Sequence, residues 1–111
     1  MRDPHAVGTI AGALRQHYGD DVARVMLKDG MTLAVLIDAL RHAQLRNHET
    51  ARLMNAALQS GDFDITPDFT TAMSHLKYVY DGPGSFQMVD IVMLTRDRSF
   101  SSTEIRLRLR S

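Results

Sequence analysis

Apolar residues recur at helical spacing through the first half of this chain and alternate with polar ones at its end. Val7, Ile10, Leu14 and Tyr18 are three, four and four residues apart, which places them on one helix face. Asp3-Pro4 opens that helix as N-cap and N1, where proline's missing N–H costs nothing. Gly19 stands where a C-terminal glycine would end it, so the segment is 4–18. Gly8 and Gly12 share a face of it. They either admit another backbone closely or merely weaken the helix, by about 1 kcal/mol each.

A short helix over 21–28 follows, capped by Asp20 or Asp21 and closed at Asp29-Gly30. Thr32 is the next cap. It opens a helix over 32–45 in which Leu33, Leu36, Ile37 and Leu40 form a continuous stripe that Ala34 and Val35 widen. A helix this apolar is buried on most sides, so it is the expected centre of the core. Asn47 caps a separate helix over 48–59, with Glu49 in its first turn. Thr66-Pro67-Asp68 has the form of a helix start, and Phe69, Met73, Leu76 and Tyr80 follow at helical intervals. Lys77-Tyr78-Val79-Tyr80 competes with strand propensity. The longer helical spacing takes precedence, giving a helix over 67–78.

Beyond the turn Asp81-Gly82-Pro83-Gly84 the period changes. Residues 85–94 are too β-branched and too short for a helix, and their apolar residues fall on both faces of a strand. Such a strand requires cover on both sides. The loop at 95–102 is polar except for Phe100. Residues 103–110 then alternate, with Ile105, Leu107 and Leu109 on one face and Arg106, Arg108 and Arg110 on the other. The expected fold is a single α+β domain over 1–111. It has four to five helices, at about 4–18, 21–28, 32–45, 48–59 and 67–78, followed by a C-terminal antiparallel β-hairpin of 85–94 and 103–110.

An isolated two-stranded hairpin is marginal in water. Pairing two hairpins across a two-fold axis would give a four-stranded sheet, and on that ground a homodimer is expected. The alternative is a third strand within one chain, from Lys77–Tyr80 or from the Phe-Asp-Ile stretch at Phe63.

Composition narrows the function classes. Among 111 residues, thirteen basic and thirteen acidic residues cancel. No whole-protein basic field for nucleic acid or anionic membrane follows from that balance. The absence of cysteine excludes disulfides, thiolate zinc sites and cysteine nucleophiles. The opening residues lack the pattern of a signal peptide, and no apolar run reaches the length of a membrane span. A soluble cytoplasmic protein without membrane partners is expected.

Candidate chemistry is sparse. Residues 96–111 carry five arginines against Asp97 and Glu104, a local charge of +3. Guanidinium forks bind phosphate, and a β-ribbon can enter a nucleic-acid groove, so Arg96, Arg98, Arg106, Arg108 and Arg110 are the candidate binding residues. A solvated sheet face that discourages edge-to-edge pairing is the plainer reading. Residues 21–45 have a helix-turn-helix outline, but Ala34, Val35 and Asp38 would offer little to bases. The five histidines, His5, His17, His42, His48 and His75, include no two at helical metal-ligand spacing, so no metal site and no cofactor are expected. No nucleophile motif surrounds any serine. The seven methionines read as core filling.

The expected function is therefore a small non-enzymatic association protein: an adaptor, regulator, chaperone-like or structural assembly subunit. Its expected partners are itself and an unidentified protein. Nucleic-acid binding through the Arg106/Arg108/Arg110 face is the first alternative. A small enzyme using His42 or His48 near the Asp62 loop is the second.

Overall fold

The computed structural model describes residues 3–43, 47–67, 73–79, 87–94 and 98–110. Four helices, α1 (Pro4–Tyr18), α2 (Asp20–Asp29), α3 (Leu33–His42) and α4 (Asn47–Gln59), are joined to six strands. The strands are β1 (Met31–Thr32), β2 (Phe63–Thr66), β3 (Met73–Val79), β4 (Gln87–Leu94), β5 (Ser99–Ser101) and β6 (Arg106–Leu109). The class is α+β, with the helices first and an antiparallel hairpin, β3–β4, in the C-terminal part of the chain. Among the described residues no helix is long and apolar enough to cross a membrane.

Local sequence chemistry sets the helix starts. The Asp3 carboxylate accepts the Ala6 N–H at 3.1 Å, and the Thr32 hydroxyl accepts the Val35 N–H at 3.2 Å, each satisfying a donor that the first turn leaves open. The cap of α2 is Gly19, at φ +90°, which ends α1 and begins α2 together. Neither Asp20 nor Asp21 caps it. Both lie in the first turn, where their charge complements the helix dipole. The helix expected over 32–45 reaches His42, with Ala43 as a turn; 44–46 fall outside the described residues.

Six paired strands replace the two that the periodicity predicted. The expected helix over 67–78 is instead strand β3 in its last part, and 68–72 lie outside the described residues. Here β-propensity and an available ladder outweigh helical spacing, because β4 runs antiparallel along the whole of β3, from Met73↔Leu94 to Val79↔Gln87. A bulge at Lys77/Tyr78 interrupts that register. The expected pairing of 85–94 with 103–110 is also corrected. On its other edge β4 pairs β5, and β6 joins a separate sheet in the order β1-β6-β2. Both in-chain alternatives are therefore present, with Phe63 starting β2 and Lys77–Val79 ending β3. The strand count that motivated pairing across a two-fold axis no longer applies, since every strand among the described residues has a partner within the chain.

Hydrophobic burial is centred on α3. Leu33, Leu36, Ala39 and Leu40 are fully buried, and they pack with Ile10 and Leu14 of α1, Met54 of α4, Phe63 of β2, and Ile105 and Leu107 at β6. The C-terminal segment also caps α3, because Ser102 and Ile105 carbonyls accept the Ala34 and Leu33 N–H groups at 3.0 and 2.8 Å. Gly30, at φ +117°, turns the chain from α2 into β1 against β6. A Cβ there would lie 3.5 Å from the Leu107 carbonyl oxygen. Gly8 and Gly12 admit no close neighbour, since a Cβ on either meets no atom within 4 Å.

Two stability changes of opposite sign follow. Leu107→Ala should lower the unfolding free energy by about 2–5 kcal/mol, because it opens a cavity at a fully buried central strand. Gly8→Ala should raise it by roughly 0.5–1 kcal/mol, since the helix has room for the methyl group. Urea titration of each variant measures both. A neutral Leu107→Ala would contradict the central placement of β6.

Candidate functional site

The inward leucines of β6 fix where its arginines point. Leu107 is buried, while Arg106, Arg108 and Arg110 on the alternate positions are exposed. Register then places Asp64 of β2 opposite Arg108. Its carboxylate accepts from Arg110 Nε at 2.8 Å and from Arg108 Nε at 3.4 Å, with Arg108 Nη2 at 3.3 Å. Hydrogen bonding from Arg110, together with the charges of Arg110 and Arg108, holds the Asp64 carboxyl below its ordinary value. Two of the three stripe arginines thus share one carboxylate.

The other candidate arginines behave differently. Arg106 lies beside Gly30 at the C-terminal end of α2, where the helix dipole favours a cation. Arg98 pairs with Glu104 at 3.1 Å, and its guanidinium covers the Phe100 ring at 4.4 Å. Arg96 lies outside the described residues. Among the described residues the stripe is a short row of three cations, two of them partly neutralised by Asp64, not a continuous basic surface.

A second feature adjoins it. Between α1, α2 and the end of β6 lies a cleft of about 490 Å³, within the range of roughly 300–1,000 Å³ typical of ligand sites. Ala23, Leu27 and Leu109 form its apolar wall. Arg15, Arg24, Lys28 and Arg110 surround it, with Asp20 the one acid among the lining residues. Arg24 is paired with Asp21 at 2.7 Å. Arg15 and Lys28 have no ion-pair partner among the described residues.

No protein-family model, curated protein or solved structure matches this chain.

The cleft was not anticipated from the sequence, although one of its signals was there. Asp20, Arg24 and Lys28 recur every four residues, which aligns them along one side of α2. Arg15 and Arg110 come from other elements and carry no such mark. On the opposite side of α2, Val22 and Val25 are 46% and 54% exposed, so this helix leaves two apolar side chains uncovered.

The acid–base pairing considered for an enzyme does not form around His42. Its Nδ1 donates to the Asp38 carbonyl at 2.8 Å, whereas buried Asp62 accepts the Asp3 N–H on Oδ2 at 2.8 Å. The side chains of His48 and His75 lie outside the described residues.

The Asp64 clasp makes a titration prediction. A carboxyl whose folded value is depressed contributes stability above the unfolded value of 3.8 and loses it as pH falls through the lower folded value. Carboxyl NMR should therefore place the Asp64 midpoint below 3.8, and Arg110→Gln should move it upward. An unchanged midpoint in that variant would show that the 2.8 Å contact does not persist in solution.

Proposed function

We propose that this protein acts by association and that the cleft between α1, α2 and β6 receives an acidic, amphipathic segment of a partner protein. The observation that carries this reading is the pairing of an apolar wall with a cationic rim. A bulky apolar side chain fits between Leu27 and Leu109. Carboxylates on either side of it would meet Arg15 and Lys28, the two rim cations with no ion-pair partner among the described residues. Helix-in-groove recognition has this form: apolar anchors give the contact area, and rim charges select the partner and speed encounter.

Nucleic-acid binding is the second reading, supported by the exposure of Arg106, Arg108 and Arg110 on one strand face. It is weaker because Asp64 occupies two of those guanidinium groups, and a phosphate would have to compete with that carboxylate. No geometry among the described residues favours the enzyme reading.

The two binding readings separate in one titration followed by amide NMR. A helical peptide of glutamate and leucine should shift signals at Ala23, Leu27 and Leu109, and a matched lysine–leucine peptide should not. Reversing the rim with Arg15→Glu and Lys28→Glu should weaken binding by about tenfold or more, equivalent to roughly 1.4 kcal/mol. If a DNA duplex instead shifts Arg106 and Arg108, with affinity that collapses as salt rises, the second reading takes its place. Shifts with neither ligand at these positions would remove both.

A further inference from the structure

Two helices bring a histidine pair and an aspartate together on a different part of the surface. Asp38 and His42 are one turn apart on α3, and His17 reaches them from the last turn of α1. His17 Nε2 lies 3.2 Å from Asp38 Oδ2, and His42 Nδ1 lies 3.7 Å from Asp38 Oδ1. The two imidazole rings stack with centroids 4.1 Å apart. One ligand atom from each of the three residues falls within 4.8 Å of the others. Beside them opens a cleft of about 230 Å³ whose wall includes Ala13, Ala39 and Ala43, small side chains that leave the imidazole edges accessible.

We propose that His17, Asp38 and His42 form a binding site for a divalent transition-metal ion of the zinc, nickel or copper type. Two imidazoles and one carboxylate suit these borderline ions and not calcium or magnesium, which prefer oxygen ligands throughout. The separations also fit. Metal–ligand bonds of about 2.0–2.2 Å at tetrahedral angles put neighbouring ligand atoms roughly 3.4 Å apart. The 3.2 Å between His17 Nε2 and Asp38 Oδ2 lies close to that spacing, so the ion can replace the shared proton between imidazole and carboxylate. The two edges to His42 close by side-chain rotation, since the three side chains are 27%, 46% and 57% exposed and are not locked in the core.

Surrounding contacts prepare the ligands. His42 Nδ1 faces the Asp38 carbonyl at 2.8 Å, which assigns the proton of the neutral ring to Nδ1 and leaves Nε2 with its lone pair. A ligating histidine commonly has its other nitrogen held by such a carbonyl. The Tyr18 ring meets His17 edge-on at 4.5 Å. Three protein ligands leave a coordination position for water or a small anion from the cleft. Loading the site would tie the end of α1 to α3.

The experiment is isothermal titration of the tag-free full chain with zinc chloride, paired with cobalt(II) absorption spectroscopy. The expected result is one ion per chain, proton release on binding, and visible bands of a tetrahedral or five-coordinate cobalt centre. His17→Ala and His42→Ala should each weaken zinc by at least about tenfold, and Asp38→Asn should weaken it while retaining the side-chain volume. His5→Ala, which removes a histidine elsewhere on α1, should leave binding unchanged. Circular dichroism on each variant checks that the helices persist. The proposal is overturned by unsaturable binding, or by unchanged affinity in the His17→Ala/His42→Ala double variant. A stoichiometric site that follows His5 also overturns it.

Discussion

The whole fold depends on the passage of its last segment, 102–110, between elements formed much earlier in the chain. β6 pairs with β1 on one edge and β2 on the other. Just before it, the Ser102 and Ile105 carbonyls accept the first free N–H groups of α3. Just after it, Arg110 donates its N–H to the Asp62 carbonyl at 2.8 Å. A buried backbone group left without a partner costs about 1–3 kcal/mol. Removing this strip would therefore open two sheet edges and one helix start together. Ile105 and Leu107 also contribute two of the fully buried core side chains. The helices can form from local signals, but the core closes only when the end of the chain arrives.

That same strip determines the surface. Strand alternation ties the burial of Leu107 to the exposure of the flanking arginines, so no separate interaction is needed to turn them outward. Register with β2 then brings Asp64 opposite Arg108, with Arg110 one pleat further along. Cross-strand pairs of opposite charge stabilise a sheet modestly. Here the pair has a second effect: it lowers the charge available to an external phosphate. The cleft beside it arises because α2 is short and buries only Ala23 fully, leaving space between its other side chains and Leu109.

Two helix starts, at Asp3 and Thr32, were legible because their chemistry is local, whereas Thr66-Pro67-Asp68 has the same form and Thr66 ends strand β2. Asp3 and Thr32 bond to N–H groups within three residues, and proline or glycine marks the adjoining ends. The burial of α3 was equally legible, since an apolar run of that length has few other placements. Strand pairing was not. Nothing in the sequence around β6 indicates that its partners are Met31–Thr32 and Phe63–Thr66, which lie far away along the chain. The segment 73–79 shows the same limit, because its helical spacing was real and was outweighed by the ladder that β4 offers. The proposed metal site divides along this line too. Asp38 and His42, four residues apart, were visible as a helix pair, but a search confined to histidine–histidine spacing passed over them. His17 reaches them only through the packing of α1 on α3.

The end of α1 takes part in both candidate sites. Arg15 lines the cleft against α2 and β6, while His17, two residues on, joins the cluster on α3. Residues two apart on a helix point away from each other, so one turn serves two different surfaces. Between these surfaces lie Ala13 and Leu14, both buried in the core. Energetic coupling between sites requires an element with two discrete arrangements that both ligands bias. The close-packed contact of α1 with α2 and α3 provides one arrangement. The two candidate sites thus share a helix, and any coupling between them would have to pass through the packing of α1 on α2 and α3.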